Sequence, residues 1–296
     1  IENRDYPNWA GREHPPITLP RPGHADLAGS VKYGFNDVRR VLERSSARET
    51  AMRVAVGSLA KQLLSCFNIR SAVHVVQIGR AALWESVVPF EKLAAAEYSP
   101  VSCIKPEVAQ SMMNEIDRAK EVGDTLGGIF EVQISGVPIG LGSHVHWDRR
   151  LDGLLAGSMM SIPGIKGVEI GLGFAAGGIY GSQVHDEILY DDARGYYRQT
   201  NRAGGIEGGM SNGEVITIRA AMKPIPTLMR PLRSVDILSK EPGDASVQRS
   251  DTCAVPAAAV VGEMTALTVI AQEFLRVFGG DSLKEIEKRW LQWTSI

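Results

Sequence analysis

Cysteine is scarce and scattered in this sequence. Cys66, Cys103 and Cys253 are an odd set without C-x-x-C spacing, which argues against a disulfide framework or a zinc site and leaves three small residues expected to be buried. Long hydrophobic runs are missing as well. No stretch approaches eighteen apolar residues and no basic start leads into an apolar segment, so neither a membrane span nor a signal peptide is expected, and the cytoplasm is the default. A strong charge of either sign is also absent: the formal net charge is -2, the pI is near 6.4, and aromatics make up only 6% of residues. Nucleic-acid and membrane partners are therefore not expected. There is no G-K-[ST] of a Walker loop, no internal repeat and no low-complexity tract. What remains, 296 residues of 44% hydrophobic content, can bury a large core as one domain over residues 1–296.

Within this neutral background one stretch is basic. Residues 21–53 hold seven Lys/Arg against four Asp/Glu. Ser46 and Glu49 have the S-x-x-E spacing of a capping box, predicting a helix to about Leu64 whose first amides are satisfied by the Ser46 hydroxyl and the Glu49 carboxylate. Arg44, Ser45 and Arg48 would then surround a helix N-terminus, where free amides, the helix dipole and a forked guanidinium favour a phosphate or carboxylate. On spacing alone an ordinary capped surface helix is the commoner outcome. His24 sits in a Pro-Gly turn two residues from Asp26, where a neighbour can hold the imidazole, although a lone loop histidine is more often structural.

The rest reads as an α/β (α+β) chain. The opening IENRDYPNW reads as the end of a strand already under way. Residues 71–79 predict a strand with His74 as a sheet residue without chemistry, residues 106–122 a helix, and residues 129–134 a half-buried strand with Phe130, Val132 and Ile134 inward and Glu131 and Gln133 outward. The GLGS loop at 140–143 precedes a helix at 149–161, an arrangement that could receive a phosphate and that supports a rival reading as a glycine-rich-loop phosphotransferase. Residues 161–174 read as a turn into a strand, 190–200 as an exposed hairpin, and 215–222 as a strand ending at Lys223. Gly204, Gly205, Gly208 and Gly209 would let the backbone approach a ligand closely. An apolar helix at 256–278 suits a core or a subunit interface, and Ser282 opens a last helix to residue 293.

Four blocks are more specific. RPGHAD at 21–26, LERSSARET at 42–50, TNRAGGIEGGMSNGE at 200–214 and AAMKPIPTL at 220–228 closely resemble, in the same order, the signature segments of the chorismate synthase family. The resemblance implies a β-α-β sandwich with helices packed between antiparallel sheets. It further implies a lyase that converts 5-enolpyruvylshikimate 3-phosphate to chorismate by 1,4-elimination of phosphate, with reduced FMN and no net redox change. By the same resemblance Arg44, Ser45, Ser46, Pro163, Gly164, Gly208, Lys223, Pro224, Ile225, Pro226, Thr227 and Arg249 fall where the family contacts FMN. Arg21, Ser46, Arg48 and Arg249 fall where it binds substrate. His24 would stabilise or donate to the reduced flavin, and Asp251 would act near flavin N5 in removing the substrate proton. No metal is implied. The family also implies a homotetramer and an external flavin reductase or other reductant, with NADP in the associated chemistry. A G-E-S-H-G segment precedes this region in the family and is not found here, so the domain reads as N-terminally incomplete, turnover by residues 1–296 alone is not expected, and a catalytically incomplete subunit that keeps the fold stands as a third reading.

Overall fold

Strands form where β-branched residues alternate, and helices where apolar residues recur at three- and four-residue intervals. The computed structural model describes residues 2–3, 6–11, 14–83 and 88–294. The chain begins with α1 (Tyr6–Trp9), α2 (Asp26–Tyr33), α3 (Arg39–Arg44) and α4 (Thr50–Ser65), then β1 (Arg70–Ile78) and β2 (Ala81–Ala82). Next come α5 (Pro106–Glu121), β3 (Gly128–Ser135), α6 (Leu151–Met160), β4 (Ile165–Ile170), α7 (Gly181–Val184), β5 (Ile188–Asp191) and β6 (Gly195–Arg198). It ends with β7 (Ile206–Glu207), β8 (Met210–Ser211), β9 (Ile216–Met222), β10 (Arg233–Val235), β11 (Pro242–Asp244), α8 (Val255–Phe278) and α9 (Leu283–Thr294).

The main sheet is ordered β2-β1-β3-β9-β4, every neighbouring pair antiparallel. In its centre Val132 stands opposite Val73 on one side and Ile218 on the other. Phe130, Val132, Ile134, Ile216, Ile218 and Ala220 share one buried face. Helix α8 lies over β1 and β3 on that face, α4 stacks on α8, and α6 fills the space beside β4. Small residues make the stacking close: a Cβ at Gly57 of α4 would lie 2.4 Å from Met264 Cβ, and one at Gly262 of α8 would lie 2.4 Å from the Phe130 ring. Phe67, Phe274, Phe278 and Trp290 form an aromatic cluster with the Phe67 and Phe274 centroids 4.7 Å apart, which docks α9 onto α8. Each such pair adds about 0.5–1.5 kcal/mol beyond area burial.

The other face of the sheet carries a row of charge. His74, Glu131, Arg219 and Glu169 stand opposite one another on four adjacent strands. Glu131 is 1% exposed and accepts hydrogen bonds from Arg219 Nε at 2.6 Å and Gln133 Nε2 at 2.8 Å, with His74 Nε2 at 3.4 Å. Burial pushes its carboxyl up, but the bonds and charges of His74, Arg219 and Gln133 outweigh this and hold it below the usual glutamate range.

Several expectations are corrected. Residues 6–9 are helical rather than the end of a strand, since Pro7 lies in a first turn, where its missing N–H is tolerated. The capping box at Ser46 does not close: its hydroxyl accepts from Arg48 N at 3.3 Å, capping a 3-10 turn Ala47–Glu49 ahead of α4, while the Glu49 carboxylate turns to Arg53. β3 is buried on both faces: Gln133 Nε2 donates to Val88 O at 2.8 Å, and Phe90–Tyr98 packs on the neighbouring β1. Cys66 is exposed at the end of α4, whereas Cys103 is buried; none of the three is paired. α8 is long and apolar enough to cross a membrane by length and composition, yet 72% of its apolar window is buried, so its apolar character is explained by this chain's own core.

Candidate active site

The RPGHAD segment folds onto its own aspartate. Gly23 takes φ +77°, the left-handed value a tight turn needs and that glycine adopts without a Cβ clash, and His24 N closes the turn on Arg21 O at 3.3 Å. Asp26, fully buried at the start of α2, accepts from Arg21 N at 3.1 Å, Arg21 Nε at 2.9 Å and Arg21 Nη2 at 3.2 Å. The His24 Nδ1 lies 2.5 Å from Asp26 Oδ1. Burial pushes the Asp26 carboxyl up, but the bonds from His24 and Arg21 more than offset it and hold the group well below the usual carboxylate range. Arg21 Nη1 donates to Thr227 Oγ1 at 2.6 Å, which ties this turn to residues 223–227. Arg21 is itself buried, so it stands behind the site and steadies it.

Residues 223–227 leave the end of β9. Lys223 Nζ donates to Gly23 O, Lys223 N donates to Gly164 O at 2.9 Å, and Ile225 O accepts from Thr125 Oγ1 at 2.7 Å. Pro163 and Gly164 are thereby held beside Lys223. Burial, then the charge of Lys166, push the Lys223 ammonium below its ordinary value. Neither lysine makes an ion pair among the described residues, so an anion placed there would relieve both.

The basic turn before α4 reaches the same region. Arg53, one helical turn beyond Glu49, donates to Ser161 Oγ at 2.7 Å and to Ser161 O at 3.2 Å, setting the start of α4 against the turn that carries Pro163 and Gly164. Arg44 is exposed, and the Ser45 hydroxyl is turned inward to Val41 O. Arg48 is exposed with Glu43 at 3.3 Å. Arg249 and Asp251 are solvent-exposed, 93% and 78%, with 3.9 Å between their charged atoms. Their segment is nonetheless anchored nearby, since Leu126 N donates to Thr252 O and Thr125 bonds Ile225. Gly208 stands apart. It sits at the α6 N-terminal end, next to Gly209, whose carbonyl accepts from Leu151 N, whereas Gly164 lies beyond the C-terminal end, about 15 Å away by helix rise. A Cβ at Gly208 would meet nothing, whereas Gly204, Gly205 and Gly209 pack against this chain's own atoms. Of the four clustered glycines, then, only Gly208 leaves its backbone open to a ligand.

A cavity of about 1150 Å³ opens beside the His24 turn, walled by α2 and the β10–β11 hairpin. Among the expected site residues only Arg21 and His24 line it. The GLGS loop is closed to phosphate: Gly140 N donates to Ser211 O at 2.9 Å and Leu141 N to Ser211 Oγ at 2.8 Å, while Gly142 bridges to Met210. Amides engaged in this way cannot cradle a phosphate.

A family model described as chorismate synthase matches residues 1–275. The chain belongs to the chorismate synthase family. Among curated chorismate synthases, that of Alkaliphilus metalliredigens is 60% identical over an alignment taking in 100% of this chain and 80% of the relative, and that of Desulforamulus reducens is 55% identical over 99% and 79%. A chorismate synthase crystal structure matches with a TM-score of 0.79 at 43% identity, covering 92% of this chain and 75% of the other. The chain is accordingly an α+β lyase of the shikimate pathway that takes 5-enolpyruvylshikimate 3-phosphate to chorismate and phosphate and uses reduced FMN; the phosphotransferase reading is not favoured. The repelling lysines at 166 and 223, without a carboxylate partner among the described residues, fit an anionic cofactor or substrate. Motif reading overlooked Arg53 and Lys166, because the contacts that matter for them are long-range; the i,i+4 spacing of Glu49 and Arg53 was the one local hint.

Proposed function

We propose that elimination takes place where the His24 turn, residues 223–227, the Pro163-Gly164 turn and the basic turn before α4 meet. The observation that carries this is the pair of uncompensated lysines beside a histidine whose backing is rigid. Lys223, Pro224, Ile225, Pro226 and Thr227 form one wall for FMN, with Arg44, Ser45, Ser46, Pro163, Gly164 and Arg249 around it and Gly208 as a separate backbone contact. Ser46, Arg48 and Arg249 hold the substrate's anionic groups, while Arg21 acts from behind through Thr227 and Asp26. When bound, reduced FMN supplies transient electron density as the carbon–oxygen bond to phosphate breaks. The chain's own part is to hold the leaving phosphate by charge, to present His24 to the flavin, and to accept the substrate proton on an Asp251 carboxylate oxygen. Electrons and atoms balance without an oxidant, since one proton and one phosphate leave. We further read residues 1–296 as one domain, the assembly as a cytoplasmic homotetramer, and the source of electrons as an external flavin reductase or other reductant.

The test is anaerobic. With photoreduced FMN and 5-enolpyruvylshikimate 3-phosphate, phosphate release and chorismate absorbance are followed for the full-length protein and for its Asp251→Asn variant. Because Asp251 is exposed, the variant should fold and bind flavin as before and lose turnover by about 100-fold or more. Unchanged turnover would remove Asp251 from proton transfer.

A further inference from the structure

We propose that Asp26 is a positioning residue that fixes His24 in one tautomer, with the proton on Nδ1 and Nε2 left free for the ligand. This rests on reading His24 as the residue that faces the flavin. The argument begins with distance. Nδ1 and Oδ1 are 2.5 Å apart, and two lone pairs facing each other at that separation would repel, so a proton lies between them. Asp26 is ionised, buried and already accepting from Arg21 N and Nε, so the proton belongs to the imidazole. The Arg21 Nη2, 3.0 Å from the same nitrogen, then has no lone pair there to donate to and directs its hydrogen to Asp26 Oδ1 at 3.2 Å.

The second observation is at the opposite end of the ring. Nε2 makes no hydrogen bond among the described residues, and His24 lines the cavity with 17% of its side chain exposed. The backing is built to hold one orientation. Among the described residues the charged groups around the ring are Asp26 from α2, Arg21 from its own turn and Lys223 from beyond β9, the last bonded to Gly23 O, and Arg233, Asp236 and Lys240 of the β10–β11 hairpin line the same cavity. An imidazole held in this way offers Nε2 as an acceptor when neutral and as a donor when protonated, so it can meet a flavin anion or take up a proton without turning.

The experiment is long-range proton–nitrogen correlation on full-length protein labelled with ¹⁵N-histidine, with the His24 signals assigned by their loss in His24→Gln. Wild type should show neutral His24 protonated on Nδ1 only, across the pH range in which it is neutral. In Asp26→Asn the carboxamide can turn its NH₂ toward Nδ1, so the Nε2–H form should appear. The pH profile of turnover should shift with it, and its maximum should drop about tenfold or more. Asp26→Glu should restore the Nδ1–H form in part, a rescue that a merely space-filling role would not give. If Asp26→Asn fails to fold because buried Arg21 loses its counter-charge, the wild-type spectrum decides alone. An Nε2–H wild type, or a folded Asp26→Asn with an unchanged tautomer, would overturn the proposal. A locked Nδ1–H form together with full turnover in His24→Gln would instead uphold the positioning and refute the catalytic reading of His24.

Discussion

Glu131 shows how a single side chain can couple stability to pH. Its folded pKa lies below the unfolded value of about 4.3, so it contributes stability that is fully present above that value and lost as pH falls through the folded one. Asp26 acts with the same sign. Glu131→Gln should therefore lower stability at pH 7 by about 3 kcal/mol and flatten the loss as pH falls below about 4.3, measured by urea unfolding at several pH values. An unchanged acid slope would show that Glu131 is not the coupled group. At this scale the sequence was half legible. His24 and Lys223 could be read because they belong to contiguous motifs. The burial of Glu131 could not, because its partners His74 and Arg219 come from β1 and β9, far away in the sequence.

Helices α4 and α8 meet at a point where a side chain would not fit. Gly57→Ala places a methyl against the Met264 backbone, and overpacking of this kind costs about 1–3 kcal/mol, or several degrees in Tm for a chain of this size. Calorimetry would detect it; an unchanged Tm would mean that the helices slide apart freely. Periodicity placed α5, α8 and β9 within a residue or two of where they lie. It misjudged the start of α4, where S-x-x-E spacing matched a motif but Arg53 competed for the Glu49 carboxylate. Local spacing shows which bonds are possible; a long side chain one turn away can take one of them.

The molecule as a whole leaves apolar surface on the outer side of α4, where Met52, Val56 and Leu59 are 58%, 49% and 68% exposed. A homotetramer that covers this side should persist at micromolar concentration by light scattering and weaken in Leu59→Lys; a stable monomer would refute the assembly we read. The summed positive field of Lys223, Lys166 and Arg44 should also make reduced, anionic FMN bind more tightly than the oxidised form. Equal affinities in an anaerobic titration would count against that field.

The position of α8 in the sequence has a kinetic consequence. Its partners β1 and β3 are complete by residue 135, yet the helix that seals their apolar face begins only at Val255. During synthesis at about 5–20 residues per second, the sheet must wait roughly 6–30 s with Phe130, Val132 and Ile134 open to water. For that interval the nascent sheet is a surface for chaperones, and the docking of α8 ends their access.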